Sequence, residues 1–213
     1  MYRAMNIQET VAAQLLQIKA IKLQPANPFT WASGWKSPIY CDNRKTLSFP
    51  EVRDYIKTCF AGQIKERYPE VDVVAGVATG AIAQGALVAD VLNKPFIYIR
   101  SAAKGHGLEN LVEGVLEPGQ KVVIIEDLIS TGGSSLKAAE AVRAQGGEVL
   151  GMLAIFSYGF ATAVQNFEQA GIALSTLSDY ETLLKVAVAE GAISADELET
   201  LAQWRKDPGS WGV

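Results

Sequence analysis

Residues 122–142 read VVIIEDLISTGGSSLKAAEAV and bring together an apolar run, two acids, a pair of glycines and a helical pattern. The apolar run predicts a buried strand that delivers Glu126 and Asp127 to its carboxyl end. Open α/β sheets bind their ligands at that edge of the sheet. This stretch therefore favours an α/β fold with a ligand site directly after the strand.

The turn that follows the acids has the chemistry of a phosphate site. Its glycines let backbone N–H groups point inward, and the next helix offers the unpaired N–H groups of its first turn. Hydroxyl donors are added by Ser130, Thr131, Ser134 and Ser135. No Gly-Lys-Ser/Thr or Gly-x-Gly-x-x-Gly pattern is present, so neither a Walker A loop nor a dinucleotide fingerprint is indicated. The alternative is purely structural, with acids that only end a strand and a turn that only begins a helix.

The segments on either side repeat the alternation of strand and helix. Apolar runs predict strands near residues 71–78, 94–100 and 148–156, and helical periodicity predicts helices over 49–69 and 78–93. Buried runs that alternate with helices indicate a parallel sheet with helices on both faces.

The two ends of the chain lack such alternation. An amphipathic helix is expected from about Asn6 to Ile21. Residues 23–45 are dense in Pro, Gly, Asn and Ser and are expected to form a loop with short strands. After Tyr158 the chain is expected to be mostly helical.

Composition excludes several classes of protein. The 213 residues carry a net charge of −4, which argues against a general affinity for nucleic acid or anionic lipid. Cys41 and Cys59 are too few for a disulfide framework, and His106 is the single histidine, which argues against a His-rich metal site. No apolar run reaches transmembrane length and no signal peptide is evident. We expect a soluble, cytoplasmic protein that binds neither membrane nor nucleic acid.

Two further segments carry chemistry. FTWASGWKSPIYCDNR, residues 29–44, offers aromatic side chains and backbone amides that suit a flat, polar-edged ring, with Tyr40 as a candidate wall. The second segment is IRSAAKGHGLENLVEG, residues 99–114, in which Arg100, Lys104 and His106 lie within seven residues. Three neighbouring cations suit a diphosphate, and the glycines beside them suit a lid. The structural alternatives are a surface loop anchored by aromatics and a surface histidine.

These segments resemble a known family. Residues 122–142 closely resemble the phosphoribosyl-pyrophosphate (PRPP) signature of type I phosphoribosyltransferases, and residues 29–44 and 99–114 resemble the base-site segment and mobile loop of orotate phosphoribosyltransferases. The resemblance implies a Rossmann-like parallel sheet in a single domain over 1–213. It implies an N-terminal base-binding hood at about 1–45, the core sheet and substrate loops at about 70–158, and C-terminal helices at about 159–213.

The resemblance also implies roles for individual residues. PRPP is expected to be bound by Arg100, Lys104, His106, Glu126, Asp127, Leu128, Ile129, Ser130, Thr131, Gly132, Gly133 and Ser134. Orotate is expected to meet Tyr40 and Ser130, and Lys104 and Asp127 are expected to be catalytic. In that family the loop closes over the neighbouring subunit, which implies a homodimer with shared active sites.

The implied reaction makes orotidine 5′-phosphate and diphosphate from orotate and PRPP, a step of pyrimidine nucleotide synthesis. Mg²⁺ is the expected ion, held mainly by substrate oxygens rather than by dedicated protein ligands. Many relatives carry a cation where this chain has Ser101 and Ala32, and some carry one in the turn at residues 78–81. Diphosphate contacts are therefore expected to depend more on the backbone N–H groups of that turn. A transferase for another base, or a non-catalytic PRPP-binding regulator, remain the alternatives.

Overall fold

The computed structural model describes residues 5–31, 34–102 and 111–211, and strands alternate with helices through most of that length. In chain order the elements are α1 (Ile7–Gln17), β1 (Ile21–Leu23), β2 (Phe29–Thr30), β3 (Lys36–Ser37), β4 (Ile39–Cys41), a 3₁₀ helix (Asn43–Ser48), α2 (Pro50–Arg67), β5 (Val73–Val77), α3 (Ile82–Leu92), β6 (Phe96–Ile99), β7 (Val112–Glu113), β8 (Lys121–Ile129), α4 (Gly133–Ala144), β9 (Glu148–Ser157), α5 (Ala161–Ala170), β10 (Leu174–Asp179), α6 (Tyr180–Ala189) and α7 (Glu197–Lys206).

The central sheet has six strands in the order β10-β9-β8-β5-β6-β7. All neighbouring pairs are parallel except β6 and β7, which pair antiparallel. The strand order reverses between β5 and β8, so the chain leaves a crevice outside the carboxyl ends of these two strands. The acids at the end of β8 lie beside this crevice, and the predicted mostly parallel α/β fold is confirmed.

Apolar layers cover both faces of the sheet. Along β8, Val123 and Ile125 pack in one core with α1, α2, α3, α6 and α7, whereas Val122 and Ile124 pack in the other with α4 and α5. Successive side chains of a strand point to opposite faces, so a strand buried on both sides must be apolar at every position. This explains the unbroken apolar run that precedes Glu126.

The N-terminal segment forms two small antiparallel ladders, β1 with β4 and β2 with β3, which confirms the expected loop with short strands. The helix expected to reach Ile21 instead ends at Gln17, because Lys19 adopts a left-handed φ of 54° and Ile21 pairs with Cys41. The described residues contain no helix that is long and apolar enough to span a membrane.

Two strands of the central sheet, β7 and β10, are not anticipated by the sequence, and they lie at its two edges. Residues 174–179 read LSTLSD, lie in the segment expected to be mostly helical, and form β10 at the sheet edge. An edge strand has a single strand neighbour and needs fewer apolar residues, so its sequence signal is weak. The sheet therefore extends past Tyr158, while α5, α6 and α7 confirm the helices expected there.

Candidate active site

Glu126 and Asp127 lie together at the carboxyl end of β8 and have different surroundings. Glu126 is 5% exposed, and its two carboxyl oxygens accept hydrogen bonds from the Asp127 N–H at 2.9 Å and the Ser135 hydroxyl at 2.8 Å. Asp127 is only partly buried. Of the two acids expected to bind PRPP, Asp127 is therefore the one that is open to a ligand, and the Glu126 carboxyl accepts a hydrogen bond from its N–H.

Burial changes the ionisation of Glu126. Desolvation, followed by the neighbouring charge of Asp127, raises the pKa of Glu126 from 4.5 to about 8. At neutral pH this carboxyl is therefore largely protonated. The site carries less negative charge than two adjacent acids suggest, which favours the approach of an anionic ligand.

This raised pKa predicts a pH-dependent effect of Glu126→Gln on stability. Below pH 4.5 the carboxyl is protonated in both native and unfolded chains, so it contributes no pH dependence. Between pH 4.5 and about 8 the native state keeps a proton that the unfolded chain releases, so rising pH destabilises the wild type. The neutral amide avoids this loss, and its stability relative to the wild type should rise by up to about 1.4 kcal/mol per pH unit.

The measurement is denaturant unfolding of both proteins from about pH 5 to about pH 8, at one protein concentration. Glu140→Gln, at an exposed position of α4, serves as the matched control. A difference between Glu126→Gln and the wild type that stays flat with pH would show that native Glu126 ionises like an exposed acid.

A left-handed glycine and a hydrogen bond from a neighbouring helix fix the loop after β8. Gly132 has a left-handed φ of 82°, and a Cβ placed there would lie 2.8 Å from the Phe167 ring, so only glycine fits. The Asn166 side chain donates to the Thr131 carbonyl at 2.9 Å. Helix α4 begins at Gly133, which confirms the predicted turn into a helix and leaves its first N–H groups at the crevice.

The structure divides the predicted phosphate segment in two. Ser130, Thr131, Gly132, Gly133 and Ser134 form the loop and the start of α4, whereas Leu128 and Ile129 still belong to β8. Ile129 is fully buried, so its side chain cannot reach a ligand. Its carbonyl is also occupied, because it accepts a hydrogen bond from the Tyr158 N–H at 3.1 Å.

The turn after β5 closes against Asp127. Gly80 lies so near the Asp127 carboxylate that an added Cβ would overlap it. The turn is fixed by two backbone bonds, from the Ala78 N–H to Ile99 and from the Ala81 N–H to Val77. In the sequence this turn differs only by its missing cations, whereas in the structure the absence of a side chain at position 80 makes room for the acid.

A cavity of about 290 Å³ adjoins the acids and the phosphate loop. Its lining combines aromatic rings with a few polar groups and consists of Thr30, Trp31, Tyr40, Cys41, Leu128, Ser130 and Tyr158. The two predicted base-site residues, Tyr40 and Ser130, therefore meet in one cavity although 90 positions separate them in the sequence.

Aromatic packing shapes this cavity. Trp31 and Tyr158 have ring centroids 5.3 Å apart, Phe29 and Tyr40 are 5.7 Å apart, and the Trp31 indole donates to the Ile39 carbonyl at 3.0 Å. Thr30, Trp31 and Cys41 belong to the segment 29–44 predicted for the base site, although the sequence singles out only Tyr40 there. Tyr158 is not predicted from the sequence, because only the fold brings the end of β9 beside that segment. A larger cavity of about 520 Å³ between α6 and α7 contains none of these residues.

The predicted cations are only partly described. Arg100 directly follows β6, and its guanidinium lies 3.5 Å from a Glu113 carboxyl oxygen. The partner expected for Arg100 from the sequence is a diphosphate rather than an acid, so a ligand at Arg100 has to compete with Glu113. Lys104 and His106 lie outside the described residues.

Comparison with known proteins places this site in a family. A family model for the phosphoribosyl transferase domain matches residues 47–167, more than half of the chain. The match includes β5, the crevice, both acids and the phosphate loop. The fold and the site therefore define a protein of the phosphoribosyltransferase class.

Individual relatives show which kind of phosphoribosyltransferase this chain resembles. An orotate phosphoribosyltransferase of Porphyromonas gingivalis is 62% identical over 203 residues, which covers 95% of this chain and 97% of that protein. One of Bacteroides fragilis is 61% identical over 206 residues and covers 97% of each chain. A crystal structure of the Aeropyrum pernix orotate phosphoribosyltransferase matches with a TM-score of 0.74 and 28% identity, over 86% of this chain and 99% of that one. The chain belongs to the orotate phosphoribosyltransferase family, and the resemblance drawn from its sequence is confirmed.

Proposed function

We propose that this protein transfers the 5-phosphoribosyl group of PRPP to orotate, which gives orotidine 5′-phosphate and diphosphate. The observation that carries this proposal is the continuity of two sites. Ser130 lines the aromatic cavity and also begins the phosphate loop, with Asp127 three residues before it. A flat base in the cavity and a sugar phosphate on the loop would thus meet beside the carboxylate.

The chemistry follows from this placement. A ring nitrogen of orotate forms a bond to the anomeric carbon as the carbon–oxygen bond to diphosphate breaks, and the proton of that nitrogen is lost to water or to the leaving diphosphate. Positive charge develops on the ribose ring during this step. Asp127 faces this charge as a preformed carboxylate, while the loop N–H groups and α4 hold the 5′-phosphate. No covalent step falls to the protein, so rate acceleration depends on positioning and on charge stabilisation.

The choice of base is tested by supplying PRPP and Mg²⁺ with orotate, uracil, adenine or hypoxanthine in parallel and separating the nucleotide products. We expect orotidine 5′-phosphate from orotate and little product from the other bases. Formation of a purine nucleotide without any orotidine 5′-phosphate would replace this proposal with the alternative of another base.

The position of Ser130 predicts an asymmetric effect of Ser130→Ala. Because Ser130 lines the base cavity, loss of its hydroxyl should raise the KM for orotate more than the KM for PRPP. Ser134→Ala, which removes an exposed hydroxyl at the start of α4, is the matched control and should affect the KM for PRPP more. Steady-state kinetics with each substrate varied in turn would disprove the assignment if Ser130→Ala changed only the KM for PRPP.

Mg²⁺ is proposed as the ion of the reaction. Within the described residues no group of three or more His, Cys, Asp or Glu side chains is placed to hold a metal. The Asp127 carboxylate is an oxygen donor at the crevice, and oxygen ligands with several retained waters suit Mg²⁺. The ion would arrive with the substrate and neutralise charge on the leaving diphosphate.

A homodimer with shared active sites is also proposed. Helix α3 is apolar almost all around, and it leaves Ile82, Ala83, Ala86 and Leu87 partly exposed and Val91 42% exposed. A helix of this composition is usually buried, and a second copy of the chain would cover it. In such a dimer we propose that Lys104 and His106 act on the substrate of the partner subunit.

The cytoplasm is the proposed location. Cys41 and Cys59 are both free thiols, and unpaired cysteines are typical of a reducing compartment.

A further inference from the structure

Asn43 lies between the base cavity and the sugar-site acid. It is 2% exposed and begins the 3₁₀ helix directly after β4, the strand whose Tyr40 and Cys41 line the cavity. Its side-chain N–H donates to the Asp127 carbonyl at 2.6 Å, and its side-chain oxygen accepts from the Cys41 thiol at 3.3 Å. One buried amide thus contacts the cavity wall on one side and the acid-bearing strand on the other.

The hydrogen bond from Asn43 to the Asp127 carbonyl lies where β8 no longer has β5 beside it. β5 pairs with β8 only as far as Ile125, so the next residues of β8 have no strand partner on that side. The bond is partly buried, and a carbonyl withdrawn from water without a donor is costly, so Asn43 supplies a donor where β5 no longer provides one. The segment 43–48 therefore replaces β5 at the point where the sheet opens into the crevice.

Three contacts together fix Asp127. Its N–H donates to the Glu126 carboxyl at 2.9 Å, its carbonyl accepts from Asn43, and its carboxylate packs against Gly80. Of these three, only the contact with Asn43 reaches across to the base site. Asn43 thus ties the β4 side of the cavity wall to the backbone of Asp127.

We propose that Asn43 is a positioning residue for phosphoribosyl transfer, an inference that rests on the function proposed above. The bond that forms joins the base to the sugar, so the cavity wall and the Asp127 carboxylate must keep one separation as the bond forms. Small displacements of a positioned group reduce the rate of the chemical step more than they reduce substrate binding. Asn43 acts through Asp127 and β4, so its loss should lower kcat and leave the KM values nearly unchanged.

The test compares Asn43→Ala and Asn43→Asp with the wild type. We expect kcat to fall by about 10- to 100-fold in Asn43→Ala, with the KM values for orotate and PRPP within about twofold of the wild type. Asn43→Asp retains the size and the acceptor but replaces the donor with a carboxylate oxygen. It should be at least as slow, and as the nearer isostere it remains informative if Asn43→Ala fails to fold.

The matched control is Ser178→Ala. Ser178 is fully buried and its hydroxyl donates to the distant Gln8 carbonyl at 2.9 Å, so it resembles Asn43 in burial and in the kind of bond that is lost. Thermal unfolding of each variant shows that kinetics are measured on folded protein. Ser178→Ala should lose stability but keep its kcat.

The outcomes separate this inference from the proposed function. Wild-type protein that fails to use orotate contradicts the proposed function, whatever the variants do. Active wild type with a normal kcat in Asn43→Asp, or with rises in KM alone, overturns the positioning role of Asn43 and leaves the proposed function standing.

Discussion

Asp127→Asn should lower turnover of orotate by more than about tenfold while the protein remains folded. The variant keeps the size of the side chain and its place beside Gly80, so packing at the crevice changes little. The variant loses a negative charge. In the proposed mechanism this charge faces a sugar that becomes cationic in the transition state, and an amide cannot stabilise that cation. The backbone contacts of Asp127 with Glu126 and Asn43 do not involve its side chain and should persist.

The measurement is kcat at saturating orotate and PRPP, with circular dichroism and thermal unfolding as checks of the fold. Asp196→Asn makes the same chemical change at an exposed position before α7 and should have wild-type turnover. A near-normal kcat in Asp127→Asn would mean that this acid only ends a strand.

Two inactive variants should regain activity when they are mixed, if the active sites are shared between subunits. Lys104→Ala removes a cation expected to bind diphosphate, and Asp127→Asn removes the carboxylate proposed to face the sugar, so each homodimer should be nearly inactive. In a mixed dimer one site carries both lesions and the other carries neither. A fully exchanged equimolar mixture should therefore recover about a quarter of wild-type activity, since about half of the dimers are mixed and each has one intact site.

The control is subunit exchange between tagged and untagged copies of the same variant, which must show mixed dimers without any gain in activity. Recovery in the Lys104→Ala and Asp127→Asn mixture alone supports the shared site. Demonstrated exchange with activity at the level of the parent variants would mean that Lys104 serves its own subunit.

The sequence predicts the parts of this protein whose signals are local. The strand before Glu126 is recognisable because both of its faces are buried, and the loop through Gly133 is recognisable because glycines and hydroxyls precede a helical pattern. Both predictions are confirmed. β10 escapes prediction because an edge strand with few apolar residues looks like any polar segment.

The parts that the sequence does not predict depend on long-range contacts. Nothing near Asn43 indicates that its amide will reach Asp127, which lies 84 positions away. Gly80 looks like ordinary turn material until the fold brings the carboxylate against it. The raised pKa of Glu126 likewise follows from burial that only the packed sheet produces. Local patterns therefore predict which chemistry is present, and the fold determines how it is positioned.

The central claim is that one crevice joins orotate to the sugar of PRPP. The most direct measurement is the loss of orotate absorbance over time in reactions that contain or omit PRPP and Mg²⁺, with diphosphate release followed in parallel. We predict loss of orotate only when both are present, with one diphosphate released for each orotate consumed. Orotate that persists in the complete reaction, or diphosphate released without consumption of orotate, would contradict it.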